Sequence, residues 1–508
     1  MLEHQWRWFS GEPAWPSLTS PGFFHPQSGA LFFGDPTTGA VPLYGIWRLL
    51  GFAPHVAYGL FAVLALALTY GAFLWLFRAG FRLAAKAAAL AAFLVAFGAP
   101  RAAMINHPHQ FLHFPTALAL LALFRLSDAS SSTGARLRWA LALPLFILWQ
   151  AYSNIYLFVL LALWLGAAAV FLLLDPGGRK SLRALPPSLL AAVASSGLLA
   201  ALLFLPWALQ FAHANGTIDG PGLEEIGVYL PRLGSWLNVG PHHLLEPWLA
   251  PTLERWIHSP VPWAHRLGIG LASTILVALG LRSALRSPPF RWLGGSFLLL
   301  ALLALRWPGG FSFWPFMVDR IEPLSALRVV SRLALLGLIP MAFALVHGLR
   351  RLGAGGARRA FVAVVGAFVV LEQSQSHPAF EVAPLFERAR QIASFVPADC
   401  DSFLYTLYRP QLAPRGRSRS NLDQQYSHVL AMWAALQLGK PTLNGYSGFP
   451  PPDWTIWPSN LVLPGELDDQ RQGLGRWILK TGLENETVCW VITEFGGGEP
   501  LKIDVERF

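Results

Sequence analysis

At 508 residues, 54% hydrophobic and only 13% charged, the chain is too apolar for an ordinary soluble protein, in which about a quarter of residues carry charge. The net charge of +10 does not point to a nucleic-acid partner. Its excess lies in short connections between apolar stretches, where membrane topology accounts for it. The sequence has no Walker-type Gly-x-x-x-x-Gly-Lys loop, which excludes an ATP motor within the chain.

Residues 1–53 are polar, aromatic and rich in Pro and Gly, with no secretory signal peptide. The segment carries Glu3, His4, Glu12, His25 and Asp35, and Phe23-Phe-His-Pro26 is followed by Leu31-Phe-Phe-Gly-Asp35. A carboxylate at such an aromatic interface suits a general base acting on a hydroxyl, or a ligand to a divalent cation; the alternative is a solvated loop acid.

Ten apolar stretches follow, predicted as helices over 54–77, 83–100, 110–126, 137–151, 153–174, 186–212, 267–281, 292–306, 333–349 and 360–372. The connections after the odd-numbered stretches are basic: Arg78/Arg82/Lys86, Arg125/Arg136/Arg138, Arg179/Lys180/Arg183, Arg282/Arg286/Arg291 and Arg350/Arg351/Arg358/Arg359. That is the positive-inside pattern. It puts residues 1–53, 101–109, 150–154, 213–266, 307–332 and everything after 373 on the outer side. An outer N-terminus this long is expected to follow a further helix, missing from this sequence; the alternative is translocation on its own. The loop 213–266, with Glu224, Glu225, Glu246, Glu254 and four tryptophans, is read as short interfacial helices or as a lid.

Three further polar clusters fall on the outer side. Arg101 to His113 includes Asn106-His-Pro-His-Gln110; His109 and Gln110 are candidate ligand contacts or helix caps, with no third metal ligand identifiable. Asp319-Arg-Ile-Glu322 precedes Arg328 and Arg332, which are four apart and would share a helix face. An outer arginine pair runs against the positive-inside trend, and guanidinium forks suit a lipid phosphate; salt bridges to Asp319 or Glu322 are the alternative. Asn444-Gly-Tyr-Ser-Gly-Phe-Pro-Pro-Pro452 specifies a tight loop that packs on the membrane part or, through Asn444 and Tyr446, meets a sugar.

After residue 373 the apolar runs shorten to strand length at 402–408 and 488–493, with a helix at about 422–438 between them, as in a small α/β domain. Residues 411–420 read as a mobile basic loop. Cys400 and Cys489 either pair, which an extracytoplasmic site permits, or remain separate thiols.

Together these pieces resemble the bacterial GT-C glycosyltransferase superfamily of polytopic membrane proteins. The resemblance rests on Phe24-His-Pro26 and Asp35, Arg101 and His109-Gln110, Gln150 to Tyr156, Arg328-Val-Val-Ser-Arg332 and Asn444 to Phe449. It implies an all-α bundle of about ten transmembrane helices (54–372) with a small extracytoplasmic α/β domain (373–508), in a bacterial inner membrane. The implied reaction moves a sugar from a polyprenyl-phosphate donor to a glycan, lipid or protein acceptor, with Mg or Mn as a possible cofactor. The family's catalytic carboxylate would fall on Asp35 or Glu3, with Arg328, Arg332, His109, Gln110, Arg101, Asn444 and Tyr446 as substrate contacts. A non-catalytic scaffold or transporter for envelope assembly is the alternative.

Overall fold

Every one of the ten apolar stretches is helical in the computed structural model, which describes residues 1–508 except 13, 14, 16, 219, 354, 355, 378–380, 410–420, 457–459, 462, 497 and 498. After α1 (Leu2–Phe9) and α2 (Val41–Leu49) come α3 (Pro54–Trp75), α4 (Ala85–Phe97), α5 (Phe114–Ser127), α6 (Thr133–Ser153), α7 (Ile155–Leu174) and α8 (Pro187–Thr217). The rest of the bundle is α9 (Leu249–Ile257), α10 (Leu271–Ala284), α11 (Pro288–Ala304), α12 (Leu333–Arg351) and α13 (Gly356–Glu372). The basic loop expected at 411–420 lies outside the described residues.

Helix length and composition account for six of the about ten spans expected. Among the described residues six helices are long and apolar enough to cross a bilayer: Pro54–Gly80, Ala85–Ala102, Pro108–Ser127, Ile155–Leu174, Pro187–Thr217 and Val330–Arg351. Helix α10 starts at Leu271 rather than 267 because Gly270 turns the chain at φ 87 and the Glu372 carboxylate takes up the Ala272 and Ser273 N–H groups. Its 14 residues reach about 21 Å, short of a hydrocarbon core of about 30 Å.

Helix α12 is the buried centre of the bundle and packs most extensively on α10. Glycine makes that contact possible. A Cβ at Gly280 would lie 1.8 Å from the Ala344 carbonyl oxygen, and one at Gly348 would lie 2.0 Å from that of Leu276, so the backbones touch. Helix α8 is the opposite case: Leu198, Leu202, Leu205 and Leu209 are exposed on the protein, an apolar face that lipid would cover. The basic connections tie together at one end, where Arg82 meets Asp128 and Arg291 meets Asp175.

The C-terminal part is an α/β unit of α14 (Ala383–Phe395), β1 (Ser402–Tyr408), α15 (Asn421–Leu438), β2 (Asn460–Leu461), α16 (Pro464–Thr481), β3 (Val488–Gly496) and β4 (Glu499–Arg507). The sheet order is β2-β1-β3-β4, with β1 parallel to both β2 and β3, and β4 antiparallel to β3. The first loop does not stand apart from it. Phe23 forms a parallel bridge to Thr442, which also bridges Phe403 on β1. Phe24 and Phe33 share a core with Leu404, Trp454 and Trp490. Residues 22–33 and the sheet are therefore on the same side of any membrane.

Cys400 and Cys489 are joined by a disulfide that pins the approach to β1 onto β3. It closes a loop of 89 residues, so cross-linking removes much chain entropy from the unfolded state, worth roughly 2–4 kcal/mol. A Cys400→Ser/Cys489→Ser variant is expected to melt at clearly lower temperature in the α/β unit. An unchanged melting curve would show the bond to be dispensable.

Candidate functional site

Asp35 lies in a loop that the rest of the N-terminal segment braces. Gln5 on α1 donates to the Pro36 carbonyl at 2.7 Å and accepts from the Thr38 hydroxyl at 2.7 Å. Thr37 between them sits at φ 53, a left-handed conformation that costs a β-branched residue about 1–3 kcal/mol and persists only when its surroundings impose it. On the other side, Ser447 Oγ donates to the Phe33 carbonyl at 2.5 Å and the Phe449 N–H donates to the same oxygen at 3.3 Å.

The Ile155 N–H, at the start of α7, donates to Asp35 Oδ1 at 3.4 Å. Oδ2 is buried with no hydrogen-bond partner. Burial pushes the Asp35 carboxyl up to about 7; the Ile155 and Thr37 amides and the Arg332 charge offset this only in part. Asp35 is thus poised to gain or lose a proton near neutrality.

Arg332 lies 7% exposed with its guanidinium carbon 4.3 Å from the Tyr156 ring centre. Arg328 donates through Nη1 to the Gly448 carbonyl at 3.1 Å and to Glu225 at 3.3 Å, while its Nε is buried and unpartnered. The rings of Phe449 and Tyr229 flank it at 5.2 and 5.8 Å. Arg332 lies within electrostatic reach of both Asp35 and Arg328, but the two arginines do not share a helix face. Arg328 precedes the 3-10 turn Val330–Arg332 that leads into α12. The carboxylate beside Arg328 is Glu225.

His107 stacks on Trp263, with ring centres 5.9 Å apart. Burial, aided by Arg332 and Arg328, lowers it to about 4, so it is neutral at working pH. His109 lies within electrostatic reach of Arg332 and His107, and its carbonyl accepts from Asn154 Nδ2 at 3.3 Å. Tyr446, partly exposed, is held above its ordinary range by burial and faces the Arg328 charge.

So Asp35, His109, Arg328, Arg332 and Tyr446 come together, while Glu3, Arg101 and Asn444 are committed elsewhere. Glu3 is 2% exposed and bonded to Tyr44 at 2.6 Å, Arg48 at 3.0 Å and Arg7 at 3.0 Å; it anchors α1 to α2. Arg101 donates to the Val95 and Gln110 carbonyls and meets His113 Nδ1, stitching the turn that follows α4. The Gln110 side chain is buried, with no hydrogen-bond partner among the described residues. Asn444 uses its amide as a strand residue uses its backbone: Oδ1 accepts from the Tyr405 N–H at 2.7 Å and Nδ2 donates to the Tyr405 carbonyl at 2.9 Å. It positions the 444–449 loop rather than a ligand.

Among the described residues no group of three or more His, Cys, Asp or Glu side chains is arranged to hold a metal. Asp35 offers one carboxylate, with the Arg332 charge within its electrostatic reach.

Sequence reasoning did not assign roles to Tyr229, Tyr156 or Glu225. Tyr156 was within reach of it: Asn154 is a helix-capping residue, and the side chains just inside such a start are fixed in direction.

No protein-family model and no curated protein matches this chain. Among solved structures it is similar to the arabinofuranosyltransferase AftD from Mycobacteria, with a TM-score of 0.53 and 14% identity over 93% of this chain and 32% of that protein. It is also similar to the oligosaccharyltransferase AglB from Archaeoglobus fulgidus, solved with an inhibitory peptide and a dolichol-phosphate (TM-score 0.44, 12% identity, 97% of this chain and 64% of that one). A third is ArnT from Cupriavidus metallidurans (TM-score 0.32, 14% identity, 91% and 83%). The chain spans about a third of the length of AftD. The AftD likeness concerns the fold alone.

Proposed function

We propose that the protein transfers a sugar from a polyprenyl-phosphate donor to an acceptor hydroxyl at the outer face of a bacterial inner membrane. The observation that carries this reading is the buried, unpartnered Oδ2 of Asp35 beside a buried arginine with no carboxylate partner among the described residues. A buried acid and a buried guanidinium that are not joined in an ion pair among the described residues cost stability, and a reaction that needs both gives them a task. The disulfide supports an oxidising, extracytoplasmic side for the α/β unit, and the basic loops at the opposite end support the same orientation.

In this reading the donor's lipid tail lies along the apolar helices and its phosphate meets Arg332 and Arg328. The acceptor oxygen attacks the anomeric carbon from the Asp35 side. Its proton passes to Asp35 Oδ2, the bond from the anomeric carbon to the phosphate oxygen breaks, and the arginines stabilise the leaving lipid phosphate, with inversion at the sugar. Neutral His107, with His109 beside it, offers hydrogen bonds to sugar hydroxyls. Two arginines supply the charge that a cation would otherwise bring. Convergence of Asp35, His109 and Arg332 favours this over a scaffold, which needs no acid near buried arginines.

The test is release of polyprenyl phosphate from undecaprenyl-phosphate pentose and hexose donors in proteoliposomes. Turnover by the wild type, retained by Glu3→Gln below its lowered melting temperature, is the expected result. No release with any donor, or a Glu3→Gln enzyme that folds with wild-type stability and is dead, would sink the assignment of Asp35 as base.

A further inference from the structure

We propose that the turn Asn154-Ile155-Tyr156, which joins α6 to α7, holds the reacting groups in register, and that the Tyr156 ring is the positioning residue for Arg332. The inference rests on the reaction read above. Three consecutive residues each hold a different member of the cluster. Asn154 caps α7 by accepting from the Leu157 N–H at 2.8 Å, and its Nδ2 donates to the His109 carbonyl at 3.3 Å. The Ile155 N–H donates to Asp35 Oδ1 at 3.4 Å. The Tyr156 ring lies under the Arg332 guanidinium at 4.3 Å. Acid, cation and histidine segment come from three distant parts of the chain, and this turn touches them all.

The choice of a ring beneath Arg332 has a physical consequence. A buried guanidinium needs an attractive partner, and the usual one is a carboxylate that occupies its N–H groups. An aromatic face attracts the cation without accepting those hydrogen bonds in its plane. Among the described residues Arg332 makes no salt bridge, so its fork stays open for the oxygens of a phosphate. Arg328 is different: its Nη1 is already given to Gly448 and Glu225. The groups facing Arg332 are Tyr156, Asp35, Arg328 and Tyr229, with His107 and His109 also within electrostatic reach. Among the described residues it is the Tyr156 ring that lies against the guanidinium.

Two measurements on the full chain test this. In proteoliposomes, Tyr156→Leu is expected to raise KM for the polyprenyl-phosphate sugar roughly tenfold with a smaller change in kcat, while Tyr156→Phe keeps both. Without donor, the Asp35 carboxyl band in infrared spectra (identified by its loss in Asp35→Asn) is expected to titrate at higher pH in Tyr156→Leu, because the released Arg332 moves away from Asp35. Tyr156→Met, of similar volume, repeats both readouts if the leucine variant folds poorly. Leu and Met variants that match the wild type in KM and in the titration would overturn the inference. If the titration moves as expected and no donor is turned over, the positioning role stands and the reaction assigned to the site falls.

Discussion

Asp35→Asn is expected to lower transfer by about 10²–10⁴-fold and, above neutral pH, to make the protein more stable. The two effects have one cause. The loop holds a carboxylate where burial pushes its protonation up to about 7 from an ordinary value of 3.8. Below about pH 4 the acid is protonated whether the chain is folded or not, and its burial costs little. Between 4 and 7 the unfolded chain releases the proton while the folded one keeps it, so stability falls as pH rises. Above about 7 the ionised group is buried and the full cost applies, of order 2–4 kcal/mol. Asparagine keeps the shape and the Ile155 contact but cannot ionise or take a proton. The gain should therefore vanish at pH 4 and be complete at pH 8, in thermal melts of the detergent-solubilised protein. Wild-type activity should rise with pH through about 7 as Asp35 loses its proton. A variant that is equally active, or no more stable at pH 8 than at pH 4, would remove Asp35 as the base.

How much of this was legible in the sequence differs by scale. Apolar runs fix helices almost by themselves, because a backbone in hydrocarbon has few other ways to satisfy its N–H and C=O groups. All ten stretches are therefore helical, the strand at 402–408 falls on the short apolar run that suggested it, and the helix expected at about 422–438 runs over 421–438. Span count was less legible. Helix starts depend on what caps them, and the caps of α10 come from Glu372, about a hundred residues away. The site was half legible. Asp35, Arg328 and Arg332 stood out because charge beside an apolar interface needs a reason. Glu3 and Arg101 stood out for the same reason, and their reason is structural: Glu3 welds α1 to α2, and Arg101 satisfies carbonyls that a tight turn leaves open. Nothing in one sequence separates a buried ion that holds a turn from one that meets a substrate. Asn444 illustrates a further limit, since an amide that imitates a strand's backbone has no pattern of its own. Tyr229 and Glu225 were missed as partners of Arg328 because about a hundred residues separate them from it.

Arg332→Gln should cost transfer roughly 10³-fold, and Arg332→Lys should recover only part of it. Glutamine leaves the departing lipid phosphate without its buried counter-charge. Lysine restores the charge as a compact ammonium, but it lacks both the plane that stacks on Tyr156 and the fork that takes two phosphate oxygens. The pH profile separates this role from a merely structural one. Arg332 favours the ionised form of Asp35, so removing its charge must move the rising limb of activity to higher pH, above about 7. Lysine should return the limb most of the way even where it does not return the rate, because the limb depends on charge and the rate on geometry as well. Arg328 predicts a weaker version. It is partly exposed and shares its Nη1 between Gly448 and Glu225, so Arg328→Gln should raise KM for the donor more than it lowers kcat. Measured over pH 5–9 in proteoliposomes, an Arg332→Gln enzyme with a slower rate but an unmoved limb would mean that this guanidinium does not act on Asp35.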